Sequence, residues 1–577
     1  MAYADEYGLS LTDPEGFWAT QAEDIPWVSF PEQILGKDAN GVGRWFVDGE
    51  MNTCFAALDW HVEEGRGDNV ALIYDSPVTA TKAQYTYKEL LDWTARIAGG
   101  LVSLGVSKGD RVVIYMPMVP ETVVAMLACA RIGAIHSVVF GGFAAPELAS
   151  RIDDAEPKVI LSASCGIEFE KVIEYKPLLD AAIEIASFKP AHCVVLQRPQ
   201  SQAALVEPRD IDWKSWESES EPVGCVAVLA TDPLYILYTS GTTGHPKGAC
   251  LSHQSILLNV AMTALMHQRS DRDTVVTALP CPHVYGNVVM SGAVQSGMTL
   301  VLHPSFDEQT ILQSIQEHRA TLFEGVPTMF MFLLNYPDLD SYDLSSLRCC
   351  TVGGQTMPVP KMQEVEARFG CPLIELWGMT ELGGLGTTFA SNGPVKHGSI
   401  GVALPYVEAR IASTEDATVT LPAGDIGELM IKGGVVMQGY YGNEQATRET
   451  IEADGWLHTG DVASMDEDGC IFIVDRKKDM ILTAGYNVYP AEIERVVAGH
   501  PDVALVAVGS VPDEERGELA KAYIVPKIGA QPDAGDIISY CREHLAAYKV
   551  PRAVQFVDDL PKTSTGKVMR RELHTLD

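Results

Sequence analysis

A chain of 577 residues with 46% hydrophobic content is long enough to form several domains, each with its own core. Its formal net charge of −35 argues against nucleic acids and anionic membrane surfaces as partners, because both require basic patches. No run of about 18 uninterrupted apolar residues is present, and the amino terminus lacks the basic and apolar parts of a signal peptide. We therefore expect a soluble, cytoplasmic protein without a transmembrane segment.

The cysteines are scattered along the chain, often inside apolar runs, and none forms a C-x-x-C pair. This pattern predicts buried, reduced thiols and argues against a zinc site. The adjacent Cys349 and Cys350 are expected in a strand.

The first 65 residues contain aromatic side chains without clear periodicity, which we expect to be exposed and to wrap around the first domain: Phe17, Trp18, Trp27, Phe30, Trp45 and Phe46. Thr86 and Glu89 then form a capping box, which predicts a helix that ends near Gly105. Beyond it, strands are predicted at 111–116, 136–140, 158–162 and 193–197, and a helix at 121–133. This alternation predicts an α/β fold with a mostly parallel sheet.

The stretch Tyr238-Thr-Ser-Gly-Thr-Thr-Gly-His-Pro-Lys-Gly248 lies between a predicted strand, 234–238, and a predicted helix, 252–268. Its glycines let backbone N–H groups approach an anion, its hydroxyls add donors and Lys247 adds positive charge. The strand–loop–helix arrangement therefore predicts a polyphosphate site. A Walker loop is excluded because Pro246 precedes and Gly248 follows the lysine, whereas a plain solvated turn stays open.

The remainder of the chain predicts three further units. Residues 275–279 and 299–302 are predicted strands of a second, similar sheet. From about residue 398 a β-rich subdomain is expected, with strands at 409–412, 427–432 and 470–474. Residues 479–577 alternate strands (504–509, 522–525) with a helix (537–545), which predicts a small α+β domain.

The loop at 238–248 resembles the signature loop of the adenylate-forming (ANL) superfamily, which includes acyl-CoA synthetases, peptide-synthetase adenylation domains and firefly luciferases. Further motifs follow in the family's order: Trp377-Gly-Met-Thr-Glu381, Gly455-Trp-Leu-His-Thr-Gly-Asp461, Asp475-Arg-Lys-Lys-Asp479 and Pro561-Lys-Thr-Ser-Thr-Gly-Lys567. Because these motifs span most of the chain, we identify it as a member of this superfamily, resembling the AMP-forming acyl-CoA synthetases.

Two subgroups are mixed in this sequence. Residues 114–118 and 138–143 resemble propionyl- and acetyl-CoA synthetases, in which the turn at Gly141 and Gly142 lies where the CoA nucleotide docks. An ordinary tight turn is the alternative. The segment Pro280-Cys-Pro-His-Val-Tyr-Gly286 instead resembles fatty-acyl and aryl-CoA ligases, in which His283 gates the acyl pocket. A hydrogen-bonded structural histidine is the alternative there.

The resemblance implies a large N-terminal domain, 1–474, of two parallel-type sheets with helices and the β-rich subdomain at about 398–474. A hinge at 475–478 with its pivot at Lys478 connects it to a mobile C-terminal domain, 479–577. A polar linker is the plain alternative for the hinge.

The resemblance also implies binding sites for ATP, Mg2+ and coenzyme A. Catalytic roles fall on Lys567, Glu381, Thr380 and Lys247, with Glu381 as the metal ligand. Lys567 is expected to bridge the acid and the α-phosphate, and then to withdraw as Gly485 and Tyr486 move in to line the CoA tunnel. Expected ATP and AMP contacts are Thr239, Ser240, Gly241, Thr242, Thr243, Gly244, Gly354, Gln355, Trp377, Asp461 and Arg476. The alternative for Trp377 is that it is an aromatic residue of the hydrophobic core.

The acid is predicted from Gly378, which stands where the acetyl and propionyl enzymes carry a tryptophan that closes the pocket. The small residues at 382–388 also favour an aliphatic acid of medium or longer chain. The alternatives are a short-chain synthetase, a carrier-protein-loading ligase, a luciferase-like oxygenase and a non-catalytic binding protein. Whether the chain is a monomer or a homodimer is left open.

Overall fold

The computed structural model describes residues 3–23, 25–37, 43–168, 171–239, 246–483, 486–513, 517–527, 529–546, 548–562 and 568–577. Two large mixed sheets with helices, a four-stranded antiparallel sheet and a separate five-stranded sheet make up the architecture. The predicted α/β class is confirmed.

The first large sheet has eight strands, and six neighbouring strands are joined to one another by parallel pairing. Across the sheet the strands are Asp210–Asp212, His192–Leu196, Val159–Ala163, Arg111–Met116, Ile135–Phe140, Pro233–Thr239, Lys247–Ser252 and Gly439–Tyr440. The last two are antiparallel additions at one edge. The strands predicted between 111 and 197 are all present.

The connection after Thr239 differs from the predicted strand–loop–helix. Residues Lys247–Ser252 form a strand that pairs antiparallel with Pro233–Thr239, so a strand directly follows the signature loop, whose residues 240–245 lie outside the described part of the chain. Ala249 and Leu251 in this strand are fully buried. The strand was not predicted because its apolar residues run directly into those of the following helix. The helix His253–His267, with Ser252 as its N-cap, is therefore separated from the loop by a whole strand.

The second large sheet has nine strands and confirms the predicted second sheet. It combines seven strands from the 274–403 region with two strands from near the amino terminus, which lie at one edge. In spatial order the strands are Val402–Ala403, Gly384–Thr388, Leu373–Met379, Cys349–Val352, Leu322–Gly325, Thr274–Thr277, Thr299–Leu302, Val70–Ser76 and Thr81–Thr86. Cys349 and Cys350 lie in a strand, as expected.

Helices cover both large sheets, and the capping box of Thr86 and Glu89 is present. The α-helices of this part are Tyr3–Thr12, Pro14–Ala22, Tyr87–Ser103, Pro120–Arg131, Ala145–Ala155, Tyr175–Ile185, Trp213–Glu219, His253–His267, Val284–Gln295, Glu308–Glu317, Pro327–Asn335, Val359–Phe369 and Glu444–Thr450. Short π or 3-10 turns lie at Phe55–Asp59, Val62–Arg66, Leu339–Ser341 and Thr380–Leu382. No helix of the described residues is long and apolar enough to cross a membrane.

The amino-terminal segment belongs to the core more than the sequence predicted. Phe17, Trp18 and Phe46 are all buried, whereas Phe30 is exposed. The ring of Trp18 packs edge to face on that of Tyr406, with centroids 4.4 Å apart. Aromatic rings without helical spacing can still be buried when a later part of the chain covers them. The cysteines are free and all but Cys225 are buried, as predicted for reduced thiols.

The β-rich region is a four-stranded antiparallel sheet of Glu408–Ala412, Gly427–Lys432, Leu457–Met465 and Ile471–Arg476. The carboxyl-terminal region has its own sheet and core. Its strands are Tyr486–Val488, Ile481–Thr483, Gly517–Pro526, Val503–Asp513 and Ala553–Phe556, and its helices are Pro490–Ala498, Ala534–His544 and the 3-10 helix Arg570–Leu576. Three short two-stranded antiparallel pairs complete the fold: Leu35–Lys37 with Gly43–Trp45, Cys165–Glu168 with Lys171–Glu174, and Glu50–Met51 with Val228–Leu229.

Candidate active site

The strand Leu373–Met379 brings Trp377 to its carboxyl end, and the turn that follows places Glu381 in the interior. Glu381 is 7% exposed, and its Oε1 accepts a hydrogen bond from the Tyr440 hydroxyl at 2.8 Å. Burial raises the pKa of Glu381, and the nearby charges of Arg476 and Lys247 act in the opposite direction. A buried carboxylate that is subject to the charges of two cationic side chains is suited to a site that binds charged groups.

Tyr440 connects Glu381 to the lysine of the signature loop. The Nζ atom of Lys247 lies 5.1 Å from the centroid of the Tyr440 ring, a cation–π contact. The strand Gly439–Tyr440 pairs with Lys247–Ser252, which places Tyr440 opposite Ala249. No sequence motif identifies Tyr440, because this contact depends on pairing between strands far apart in the chain.

Asp461 lies at the centre of a second set of contacts. Its Oδ2 accepts from Trp377 Nε1 at 2.8 Å, and its Oδ1 lies 2.8 Å from Nε of Arg476. The ladder between Leu457–Met465 and Ile471–Arg476 places Asp461 directly opposite Arg476. Three residues predicted for the nucleotide site therefore meet. A carboxylate has about four acceptor positions, so Asp461 retains capacity for further donors.

The residues after Arg476 attach to the four-stranded sheet. Lys477 Nζ lies 2.9 Å from Oε2 of Glu428, and the same carboxylate accepts from the backbone N–H of Gly460 at 3.2 Å. Hydrogen bonds and charge interactions with His458 and Lys477 lower the pKa of Glu428 to about 2, against the effect of burial. Lys478 is exposed, and its side chain makes no hydrogen bond or ion pair to another described residue.

Gly378 does not simply leave space for a larger side chain. A β-bulge separates it from Trp377, and a Cβ atom built on Gly378 would lie 2.0 Å from the carbonyl oxygen of Gly384. The glycine allows strand Gly384–Thr388 to approach this closely, a structural role that the sequence argument did not include. Gly378 itself is exposed.

Gly354 and Gln355 lie in the loop after strand Cys349–Val352, where Gly354 adopts a φ of +86°. Glu375 lies beneath this loop and accepts from the backbone N–H of Met357 at 3.4 Å. Burial raises the pKa of Glu375 to about 7. Sequence analysis did not single out Glu375, although a charged residue inside an apolar strand was a visible signal.

His283 and the two glycines at 141–142 have clear structural contacts. His283 is the N-cap of helix Val284–Gln295, and its Nδ1 accepts from the N–H of Tyr285 at 3.2 Å. Gly142 has a φ of +83°, and a Cβ on Gly141 would lie 2.2 Å from the hydroxyl of Tyr175. The gate and CoA roles stay predictions, and the structural alternatives describe what these residues contact.

Several predicted site residues lie outside the described part of the chain: Ser240, Gly241, Thr242, Thr243, Gly244, Gly485 and Lys567. Only the backbone of Tyr486 is described, in a short strand. Thr239 and Lys247, which flank the loop, pair in the ladder, and the Thr239 hydroxyl donates to the carbonyl of Lys247 at 3.4 Å. Thr380 begins the short turn that carries Glu381.

Comparison with family models agrees with this geometry. The model described as AMP-binding enzyme matches residues 58–441, and its C-terminal domain model matches 492–567. The model for the acetyl-coenzyme A synthetase N-terminus matches 3–57. Fold and site together define an adenylate-forming ligase.

The curated relatives include acyl-CoA synthetases of different chain-length classes. The human acyl-CoA synthetase short-chain family member 3, mitochondrial, is 34% identical over 100% of this chain and 87% of its own length. The acetyl-coenzyme A synthetase of Streptomyces coelicolor is 33% identical over 99% and 90%. The long-chain-fatty-acid–CoA ligase of Bacillus subtilis is 35% identical over 85% and 89%. The chain belongs to the AMP-binding enzyme family and is an AMP-forming acyl-CoA synthetase.

Solved structures of the same type superpose on most of the chain. ATP-bound MatB from Rhodopseudomonas palustris has a TM-score of 0.79 at 29% identity and covers 91% of this chain and 99% of its own. The anthranilate CoA ligase AuaEII in complex with anthranoyl-AMP has a TM-score of 0.81 at 25% identity, covering 91% and 97%. Family membership supports the ATP, Mg2+ and coenzyme A predicted from the sequence.

Proposed function

We propose that this synthetase converts an aliphatic carboxylic acid of medium or longer chain, with ATP and CoA, into acyl-CoA, AMP and pyrophosphate. A carboxylate is a poor electrophile because delocalised negative charge shields its carbon. Transfer of AMP to the acid creates an acyl phosphate anhydride with a good leaving group. The enzyme must hold two anions in line, compensate their charge and exclude water.

One observation carries the assignment of the adenylation site. Glu381, buried and bonded to Tyr440, lies within the electrostatic reach of both Lys247 and Arg476, and Arg476 is paired with Asp461. We assign Asp461 to the ribose hydroxyls, Trp377 to the adenine face and Arg476 to the ribose or phosphates. Gly354 and Gln355 would border the adenine, and the loop 239–244 with Lys247 would bind the phosphates.

The Mg2+ ion would be held by Glu381, with Thr380 beside it. The fit rests on the chemistry of the donor: a hard oxygen ligand suits Mg2+, and burial of Glu381 disfavours its ionised form until a cation is near. The ion would supply charge compensation on the phosphate oxygens. Tyr440 orients the carboxylate through the hydrogen bond to Oε1.

The second step is assigned to the same chain in another arrangement of its domains. The boundaries proposed from the sequence, 1–474 and 479–577 with a pivot at Lys478, suit the exposed side chain of Lys478. Lys567 would bridge the acid and the α-phosphate in the first step. In the second step Gly485 and Tyr486 would line the CoA tunnel, and the turn at Gly141–Gly142 would receive the CoA nucleotide.

Two features support an acid with an acyl chain of medium or greater length. Gly378 is exposed to solvent near the end of the strand that leads into Thr380 and Glu381. The long-chain ligase of Bacillus subtilis is also 35% identical to this chain. His283, at the start of helix Val284–Gln295, is assigned to the wall of the acyl pocket.

A short-chain acid is the second candidate. It is favoured by the amino-terminal match to the acetyl-coenzyme A synthetase model at 3–57 and by the short-chain relatives. The crowding between Gly378 and the Gly384 carbonyl also means that the absent side chain does not translate directly into pocket volume.

The deciding experiment measures AMP release with ATP, Mg2+ and acids from acetate to palmitate, with and without CoA. A CoA-dependent optimum at medium or longer chains is expected, and an optimum at acetate or propionate would replace it with the short-chain candidate. Lys567→Ala is expected to reduce adenylation by about 10²–10³ while ATP binding persists. An unchanged adenylation rate in this variant would refute the role assigned to Lys567. AMP release indifferent to CoA would favour a carrier-loading ligase.

A further inference from the structure

Arg570 forms ion pairs with three carboxylates at and near the hinge motif. Its Nε and Nη2 atoms engage both oxygens of Glu494, at 3.0 and 2.6 Å. Its Nη1 lies 2.6 Å from Oδ1 of Asp475 and 3.3 Å from Oδ2 of Asp479. A bidentate guanidinium–carboxylate pair has a defined geometry as well as a favourable energy. One side chain therefore connects three carboxylates in a fixed arrangement.

These carboxylates lie on both sides of Lys478. Asp475 is in the last strand of the four-stranded sheet, Ile471–Arg476. Its Oδ2 also accepts from the N–H of Ala491, at 2.7 Å, in the first turn of helix Pro490–Ala498. Glu494 is on that helix, and Arg570 is in the 3-10 helix Arg570–Leu576, which packs against strand Val503–Asp513 of the five-stranded sheet. Asp475 is thus the point at which the large domain holds two elements of the small one.

The two residues that follow Asp475 form ion pairs within the large domain and none with the small domain among the described residues. Arg476 pairs with Asp461, and Lys477 pairs with Glu428. A rotation about Lys478 would carry Arg570, Glu494 and Ala491 away together. It would separate Asp475 from Arg570 and from Ala491, while the pair between Arg570 and Glu494 would persist.

We propose that Arg570 is a positioning residue that holds the small domain in the described orientation through Asp475, and thereby sets the balance between the adenylation and thioester-forming steps. The buried carboxylate of Asp475 makes this orientation selective, since a buried charge that loses its partner is strongly disfavoured. Arg570 is assigned no contact with substrates. The inference rests on the proposed two-step function.

The test compares three variants of the full chain: Arg570→Gln, Asp475→Asn and, as matched control, Glu494→Gln. Adenylation is measured by ATP–pyrophosphate exchange with the preferred acid. Thioester formation is measured separately from preformed acyl-adenylate and CoA. Loss of the ion pair between Arg570 and Asp475 is expected to change the ratio of the adenylation rate to the thioester-forming rate at least tenfold. This change is expected in both Arg570→Gln and Asp475→Asn, with one of the two rates kept or raised. Glu494→Gln should leave the ratio within about twofold of the wild type, because its partner moves with it.

A proportional fall of both rates in Arg570→Gln and Asp475→Asn would overturn the proposal, as would an equal change of ratio in Glu494→Gln. Asp475→Asn keeps an acceptor for the N–H of Ala491 and so serves if Arg570→Gln does not fold. Failure of the proposed function is distinguishable, because the wild type would then show no exchange with any acid.

Discussion

The indole N–H of Trp377 donates a hydrogen bond to Oδ2 of Asp461, with the two atoms 2.8 Å apart. The bond joins two sequence motifs whose bonded residues are 84 positions apart. Because the acceptor is a buried carboxylate, the bond restrains the orientation of the tryptophan ring. A ring whose orientation is set before the ligand arrives loses less freedom on binding. The same carboxylate holds Arg476, so the stacking residue and the proposed ribose acceptor form one unit.

Trp377→Phe should raise the KM for ATP about tenfold or more, because a hydrogen bond to a charged group contributes about 1.5–3 kcal/mol. Phenylalanine keeps a flat face and loses only the N–H donor. Trp377→Ala should weaken binding further, by the additional ~1–3 kcal/mol of base stacking. The measurement is the KM for ATP in pyrophosphate exchange at saturating acid. Equal KM values for wild type and Trp377→Phe would show that the bond does not orient the ring.

Gly378→Ala should destabilise the protein by about 1–3 kcal/mol through overpacking, since the new methyl group would lie 2.0 Å from the Gly384 carbonyl oxygen. Thermal denaturation provides the measurement. Gly224→Ala is the matched control, because a Cβ at Gly224 has no atom within 4 Å. If Gly378→Ala were as stable as the control and merely preferred shorter acids, the side chain would point into the acyl pocket instead.

Glu381→Gln should lower the adenylation rate by about a hundredfold or more, because it removes the charge proposed to hold Mg2+ and compensate the phosphates. The apparent Mg2+ affinity, from exchange rates over a series of Mg2+ concentrations, should fall as well. A variant with reduced rate and unchanged Mg2+ dependence would place the metal on other ligands.

Tyr440→Phe should shift the acidic limb of the adenylation pH profile to higher pH. The Tyr440 hydroxyl lowers the pKa of Glu381, against the larger effect of burial. Without it the carboxyl group stays protonated to a higher pH, and activity that requires the carboxylate is lost earlier on acidification. Pyrophosphate exchange between pH 5 and 8, in steps of about half a unit, gives the comparison. A limb that moves to lower pH, or stays in place, would argue against this role.

Glu375→Gln should become more stabilising as the pH rises. The folded-state pKa of Glu375 is about 7 against an ordinary value of 4.5, so the wild type loses stability as pH rises through that window. The difference in unfolding free energy between variant and wild type should therefore increase by about 2 kcal/mol from pH 5.5 to 8. Thermal melts at several pH values measure it, with the exposed Glu415→Gln as control. A difference independent of pH would mean that the pKa of Glu375 in the folded protein is not raised above its ordinary value.

The local spacing of apolar and capping residues in the sequence was sufficient to predict the type and the bounds of many helices and strands of this protein. The strand Thr299–Leu302 has the predicted bounds, and the helix His253–His267 with its N-cap Ser252 lies within one residue of them. Burial periodicity and capping chemistry act within a few residues, so a linear pattern reports them directly. The ordered motifs from 238 to 567 likewise specified the superfamily, since their residue types are dictated by the chemistry of phosphate, adenine and ribose.

Pairing partners could be decided only by the tertiary structure. The placement of Val70–Ser76 beside Thr299–Leu302 and the contact of Tyr440 with Glu381 both join distant segments. The same holds for Arg570 at Asp475 and for the carbonyl of Gly384 that crowds Gly378. Sequence periodicity tells which face of an element is buried, but burial is non-directional and does not name the segment that covers it. That choice is made by the packing of the whole chain.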